Sequence, residues 1–232
     1  MRGFRNQMNP ANTVTVVRMV LIPVFLLVLL ADWPAWLNAP PAIAALRPWI
    51  AATVFGLLAA TDGVDGYLAR SRNEVTTFGK FIDPLADKLL VTAALLALVE
   101  LSVLPAWIAF VIIAREFIVS GLRMVASAEG IVIAASWYGK VKTVLQIVAI
   151  LLFLVKDSAL LDTLGSDFNA FVQATAWTVM GAAIVMTIMS MVDYFRAASD
   201  VLVGPWTGET QISASLGAAE EAAEDAADET LD

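Results

Sequence analysis

Thr61-Asp62-Gly63-Val64-Asp65-Gly66-Tyr67-Leu68-Ala69-Arg70, resumed at Gly79-Lys80-Phe81-Ile82-Asp83-Pro84-Leu85-Ala86-Asp87-Lys88, sets four carboxylates against apolar runs. The run before them, Trp49 to Thr61, falls short of the ~17–25 residues that cross a bilayer. A helix made from it must carry Asp62 and Asp65 into the hydrocarbon boundary. Charged groups there cost at least ~2.5–3.5 kcal/mol each and turn to a cavity or a partner. At the helical angular step, Asp62, Asp65, Gly66 and Ala69 share an arc of about 100°. The two acids therefore sit beside a nearly bare helix surface, open to a bulky ligand. On the next helix Asp83 and Asp87 are one turn apart, Gly79 precedes Asp83 by a turn, and Pro84 is expected in the first turn.

Composition sets the environment of these acids. The chain has 232 residues, 59% hydrophobic and 16% charged, against ~45–50% and ~25% in soluble domains. It reads as an all-α integral membrane protein. Six apolar stretches, at 14–31, 47–69, 83–104, 106–126, 141–157 and 170–195, predict six transmembrane helices after an interfacial N-terminal segment. Pro, Gly or charge punctuates each break. Arg18 interrupts the first stretch, so it is expected to be a retained helix and not a cleaved signal. Net charge is −8, but the eight acids from Glu209 to Asp232 have no base among them. A neutral membrane domain over 1–208 and a disordered acidic tail over 209–232 are expected. Arg2, Arg5, Arg70, Arg72, Lys80, Arg123, Lys140, Lys142 and Arg196 fall on one side of such a topology; Arg47 and Lys156 fall on the other. Basic loops stay cytoplasmic, so both termini and the carboxylates should face the cytoplasm.

The sequence contains no Cys and no His. That removes thiolate chemistry, imidazole-based zinc sites and Ser-His-Asp catalysis. Four carboxylates converging from two helices would repel one another unless cations intervened. Oxygen-only donors select Mg²⁺ or Mn²⁺, and four acids suit a two-metal site acting on phosphate. The plainer alternative pairs these acids with Arg70, Arg72, Lys80 and Lys88 in a solvated interfacial loop. A cation-coupled transporter is another reading of intramembrane acids, disfavoured by the small residues beside them.

The spacing Asp62-x2-Asp65-Gly66-x2-Ala69-Arg70-x8-Gly79-x3-Asp83-x3-Asp87 resembles the signature of the CDP-alcohol phosphatidyltransferases, with every fixed position matched. The resemblance implies six membrane helices, a homodimer and divalent-metal chemistry. It implies Asp62, Asp65, Asp83 and Asp87 as metal ligands, with Asp87 also the catalytic base for the acceptor hydroxyl. Gly66, Ala69, Arg70, Thr76 and Gly79 would bind CDP-diacylglycerol.

Asn9-Pro10-Ala11-Asn12-Thr13-Val14-Thr15-Val16-Val17-Arg18 resembles the family's opening stretch, with Ala11 and Val14 as mild departures. It adds Asn12 and Thr15 to the nucleotide pocket. Ala114-Arg115-Glu116 with Ser120-Gly121-Leu122-Arg123, then Gly139-Lys140-Val141-Lys142, is similar to the members that use glycerol 3-phosphate. Arg115, Arg123, Lys140 and Lys142 are then expected to bind the acceptor phosphate, arginine and lysine being the usual phosphate ligands. For Lys140 and Lys142 the plainer role is membrane anchoring. The activity implied is phosphatidyl transfer from CDP-diacylglycerol to glycerol 3-phosphate in a bacterial cell membrane, with no nucleic-acid partner. Inositol phosphate, phosphatidylglycerol or serine are alternative acceptors for the same chemistry.

Overall fold

The computed structural model describes residues 10–31, 41–72, 77–128 and 137–197; over 10–15, 62–72 and 77–87, and at 41, 42, 44, 128 and 197, it describes the backbone alone. Among the described residues there are seven helices and no strand: α1 (Pro10–Leu30), α2 (Pro41–Arg72), α3 (Thr77–Glu100), α4 (Ala106–Ala128), α5 (Trp137–Val155), α6 (Ala159–Asp162) and α7 (Ser166–Ala197). The six long helices coincide with the six apolar stretches, each extended at one or both ends. Arg2, Arg5 and residues 198–232, the expected acidic tail among them, lie outside the described residues.

One expectation is corrected. Pro84 is not in the first turn of its helix, because α3 begins at Thr77. Proline removes one backbone hydrogen bond, and in buried helices neighbouring groups can compensate the freed carbonyl. Pro23 in α1 and Pro48 in α2 are likewise internal.

α1 packs on α2 and α3, α5 lies against α2 and α7, and α4 joins α3 to α7. One core runs through these helices, including Phe25, Phe55, Leu95, Ile112, Ile150 and Met180. Phe25 and Phe55 lie 5.9 Å apart by ring centroid, and Phe153 meets Trp177 edge-on at 5.0 Å. The outer surface is also apolar. Every long helix exposes large hydrophobic side chains, among them Val20, Leu57, Leu96, Phe110, Val144 and Phe171. Apolar exposure on all helices, with buried charge inside, is the pattern of a protein solvated by lipid. α5 and Ser166–Arg196 of α7 are long and apolar enough to cross a membrane; Val16–Leu30 and Ala45–Thr61 are apolar but shorter. α4 carries Arg115, Glu116 and Arg123 within its apolar length, which lowers its hydropathy without shortening it.

The helix ends are locally closed. After α3, Ser102 adopts φ 58°, Ser102 N–H donates to Val99 O and Val103 N–H to Leu98 O. This left-handed cap followed by Pro105 stops the helix and starts α4. Arg47 donates to Val28 O and Leu29 O, capping the last carbonyls of α1. Near it, Lys156 pairs with Asp157 at 2.6 Å, and Trp49 donates to Ser158 at 3.1 Å. Arg47 and Asp157 line a cavity of about 280 Å³ that shares no lining residue with the site below.

Candidate functional site

The candidate site begins with two adjacent ionic residues in an otherwise apolar segment of α4. Arg115 is 6% exposed, a position that a guanidinium tolerates only with partners. It finds them in Glu116, at 3.1 Å, and in Ser190 Oγ of α7. The same Glu116 oxygen, Oε1, accepts from the Lys142 ammonium of α5. Lys142 is itself 3% exposed. One carboxylate thus serves two buried cations from two helices.

α7 completes the arrangement from the far side. The Tyr194 ring faces both arginines, 4.8 Å from the Arg123 guanidinium carbon and 5.6 Å from that of Arg115. Its hydroxyl accepts a hydrogen bond from Arg123. Cation–π contacts of this kind strengthen as water is excluded, and Tyr194 is buried.

Beside Glu116 lies a cavity of about 60 Å³ walled by Arg18 of α1, Ala59 of α2, Lys88 of α3, Glu116 of α4, and Lys142 and Gln146 of α5. One water needs ~10–15 Å³ of such space, so the cavity has room for a few waters or one phosphoryl group. Ala59 comes one turn before Asp62, and Lys88 directly follows Asp87. The cavity therefore abuts the acid-bearing ends of α2 and α3.

The sequence-predicted residues divide into three groups. Asp62, Asp65, Gly66, Ala69 and Arg70 lie on the helical backbone of α2; Gly79, Asp83 and Asp87 lie on that of α3. Their side chains, and those of Asn12 and Thr15 on α1, are outside the described residues, as is Thr76 altogether. Among the acceptor residues, Lys142 lines the cavity, Arg115 stands behind it through Glu116, and Arg123 is engaged with Tyr194. Lys140 is exposed at the start of α5. Sequence reasoning missed the cavity positions of Arg18, Lys88 and Gln146, and the contribution of Ser190 and Tyr194. Arg18 carried a signal, as a cation within an apolar run. Ser190 and Tyr194 carried none, being ordinary residues of an apolar helix.

The helical backbone through both acid pairs fits a metal site in its donor chemistry. Asp62 and Asp65 are three residues apart, Asp83 and Asp87 four, so each pair can present oxygens on one face. Oxygen donors alone suit a hard divalent cation. Among the described residues, which exclude these four side chains, no group of three or more Asp, Glu, His or Cys could hold one.

Comparison with known proteins bears on most of the chain. Residues 8–192 match the family model described as CDP-alcohol phosphatidyltransferase. A Bacillus subtilis protein named CDP-diacylglycerol–glycerol-3-phosphate 3-phosphatidyltransferase is 42% identical over 189 residues, covering 81% of this chain and 93% of its own. Proteins of the same name from Escherichia coli K12 and Haemophilus influenzae are 36% and 34% identical. Those alignments cover 83% and 82% of this chain, and 96% and 92% of the relatives.

Proposed function

The chain belongs to the CDP-alcohol phosphatidyltransferase family, and on that premise we propose how its residues carry out the family's group transfer. The protein is a phosphatidyltransferase that moves the phosphatidyl group of CDP-diacylglycerol to glycerol 3-phosphate, yielding phosphatidylglycerol phosphate and CMP. The observation that carries the acceptor assignment is the cationic cavity, with Lys142, Arg18 and Lys88 in its wall, placed next to the helix ends that bear the aspartates.

Asp87 accepts the proton of the acceptor hydroxyl, whose oxygen attacks the phosphorus bearing diacylglycerol. The new oxygen–phosphorus bond replaces the bond to the bridging oxygen, which departs with CMP. Gly66 and Ala69 leave room on α2 for the diphosphate, while Asn12, Thr15, Arg70, Thr76 and Gly79 bind the rest of the CDP headgroup. Mg²⁺ or Mn²⁺ held by Asp62, Asp65, Asp83 and Asp87 supplies neutralisation of the diphosphate charge when bound. Lys142 holds the acceptor phosphate, with Arg115, Arg123 and Lys140 completing the basic surround. Positioning and charge complementarity then provide most of the acceleration.

All six long helices are read as spans, with both termini and the site at the cytoplasmic face of a bacterial membrane, and the protein as a homodimer. The acidic segment 209–232 is separate from the catalytic unit 1–208, so its deletion should leave turnover intact. Labelled CDP-diacylglycerol offered with glycerol 3-phosphate, inositol phosphate, phosphatidylglycerol or serine tests the acceptor. Product with glycerol 3-phosphate supports the assignment; product only with another acceptor rejects it.

A further inference from the structure

We propose that Glu116 is an internal counter-anion that sets how much negative charge an acceptor must carry to occupy the cavity beside it. The inference rests on the reading above, in which the acceptor is a phosphate monoester, and it gives that site a specificity-determining residue.

Three observations carry it. Glu116 lines the cavity together with Lys142, Arg18 and Lys88, and it is the one carboxylate among the described lining residues. It accepts from Lys142 on the same oxygen that Arg115 engages from behind. It is also anchored: neighbouring Arg115 is tied to Ser190, and Arg123, two turns on, is tied to Tyr194. Both ties bind α4 to α7, so Glu116 is held at the wall.

An anion entering this cavity meets Lys142 with its charge partly offset by the carboxylate it shares with Arg115. A monoanion would exchange one ion pair for another while standing beside a fixed carboxylate, and gains little. A dianionic phosphate carries charge enough to share Lys142 and engage the other cations of the wall. Specificity of this kind arises from a repulsive element as much as from attraction. Glu116 thereby disfavours monoanions.

The test uses the full chain purified in detergent, with inorganic phosphate as the probe and its binding followed directly by calorimetry. Glu116→Gln keeps the shape and one acceptor oxygen but removes the charge. It should bind inorganic phosphate at least tenfold more tightly than the unaltered protein, and the gain should vanish in Glu116→Gln with Lys142→Gln. Unchanged or weaker binding in Glu116→Gln overturns the proposal. Should that variant not fold, Glu116→Asp decides, since its carboxylate withdraws by one methylene while the charge is kept. Severalfold tightening supports the counter-anion, and no change rejects it.

A kinetic arm separates the two phosphate-bearing substrates. Inorganic phosphate should inhibit Glu116→Gln in competition with glycerol 3-phosphate; competition with CDP-diacylglycerol instead rejects the acceptor-side role. Because binding is read without turnover, failure of the unaltered enzyme to use glycerol 3-phosphate would sink the functional reading alone. A null binding result in an active enzyme would sink this inference alone.

Discussion

The Arg115 guanidinium on α4 donates to Ser190 Oγ on α7, across 75 residues of sequence. Together with Arg123 and Tyr194 it fastens the last long helix to the helix that carries Glu116. The aspartate motif lies on α2 and α3, yet the cavity beside it is shaped by a lattice of polar contacts that ends on α7.

That lattice makes Tyr194 a stability determinant. Tyr194→Ala removes a buried ring and the face opposed to two guanidinium groups. A loss of roughly 3–5 kcal/mol is expected, as for other large-to-small core substitutions. Tyr194→Phe keeps the ring and loses only the hydroxyl bond to the Arg123 guanidinium, at about 1.5–3 kcal/mol. Thermal unfolding in detergent should rank the two variants in that order; equal shifts would show that the ring face contributes nothing.

Asp87→Asn and Asp83→Ala should remove turnover while leaving a folded protein. Loss of a general base alone costs typically 10²–10⁴-fold, and loss of a metal ligand adds to it. Turnover is measured alongside size-exclusion behaviour in detergent. Wild-type rates in either variant would overturn the assigned role.

Lys142 and Lys140 lie on the same turn of α5 but differ in setting: the first is buried at the cavity, the second exposed. Lys142→Ala should raise KM for glycerol 3-phosphate about 10–100-fold, the equivalent of one charge-assisted hydrogen bond. KM for CDP-diacylglycerol should move far less. Lys140→Ala should give a smaller change in the acceptor KM. Equal effects of both variants on both substrates would reduce the pair to membrane anchors.

Chelation should stop the reaction and leave the helices in place. EDTA is expected to abolish phosphatidyl transfer, with Mg²⁺ or Mn²⁺ restoring it, while circular dichroism reports unchanged helicity. Turnover that persists after exhaustive chelation would refute the carboxylate-held cation.

The acid motif was legible because its information is local. Asp62 and Asp65 fall three residues apart, Asp83 and Asp87 four, and a helix turns that spacing into a shared face without help from the rest of the chain. The six long helices were legible for a similar reason, since apolar length and interrupting charge are properties of single segments. Their ends were less so: α3 runs back through Pro84 to Thr77.

Residue order was silent on pairing between helices. Nothing near Glu116 indicates that it would bind Lys142 rather than solvent or Arg123, and nothing near Ser190 or Tyr194 marks them as partners of arginines. Those contacts arise only when α4, α5 and α7 pack and their buried charges must find counter-charges within a medium that lacks water. Arg18 and Lys88 come to one cavity for the same reason, from positions 70 residues apart in the chain. Spacing along a helix is encoded segment by segment; the partner of a buried charge is settled by the whole bundle.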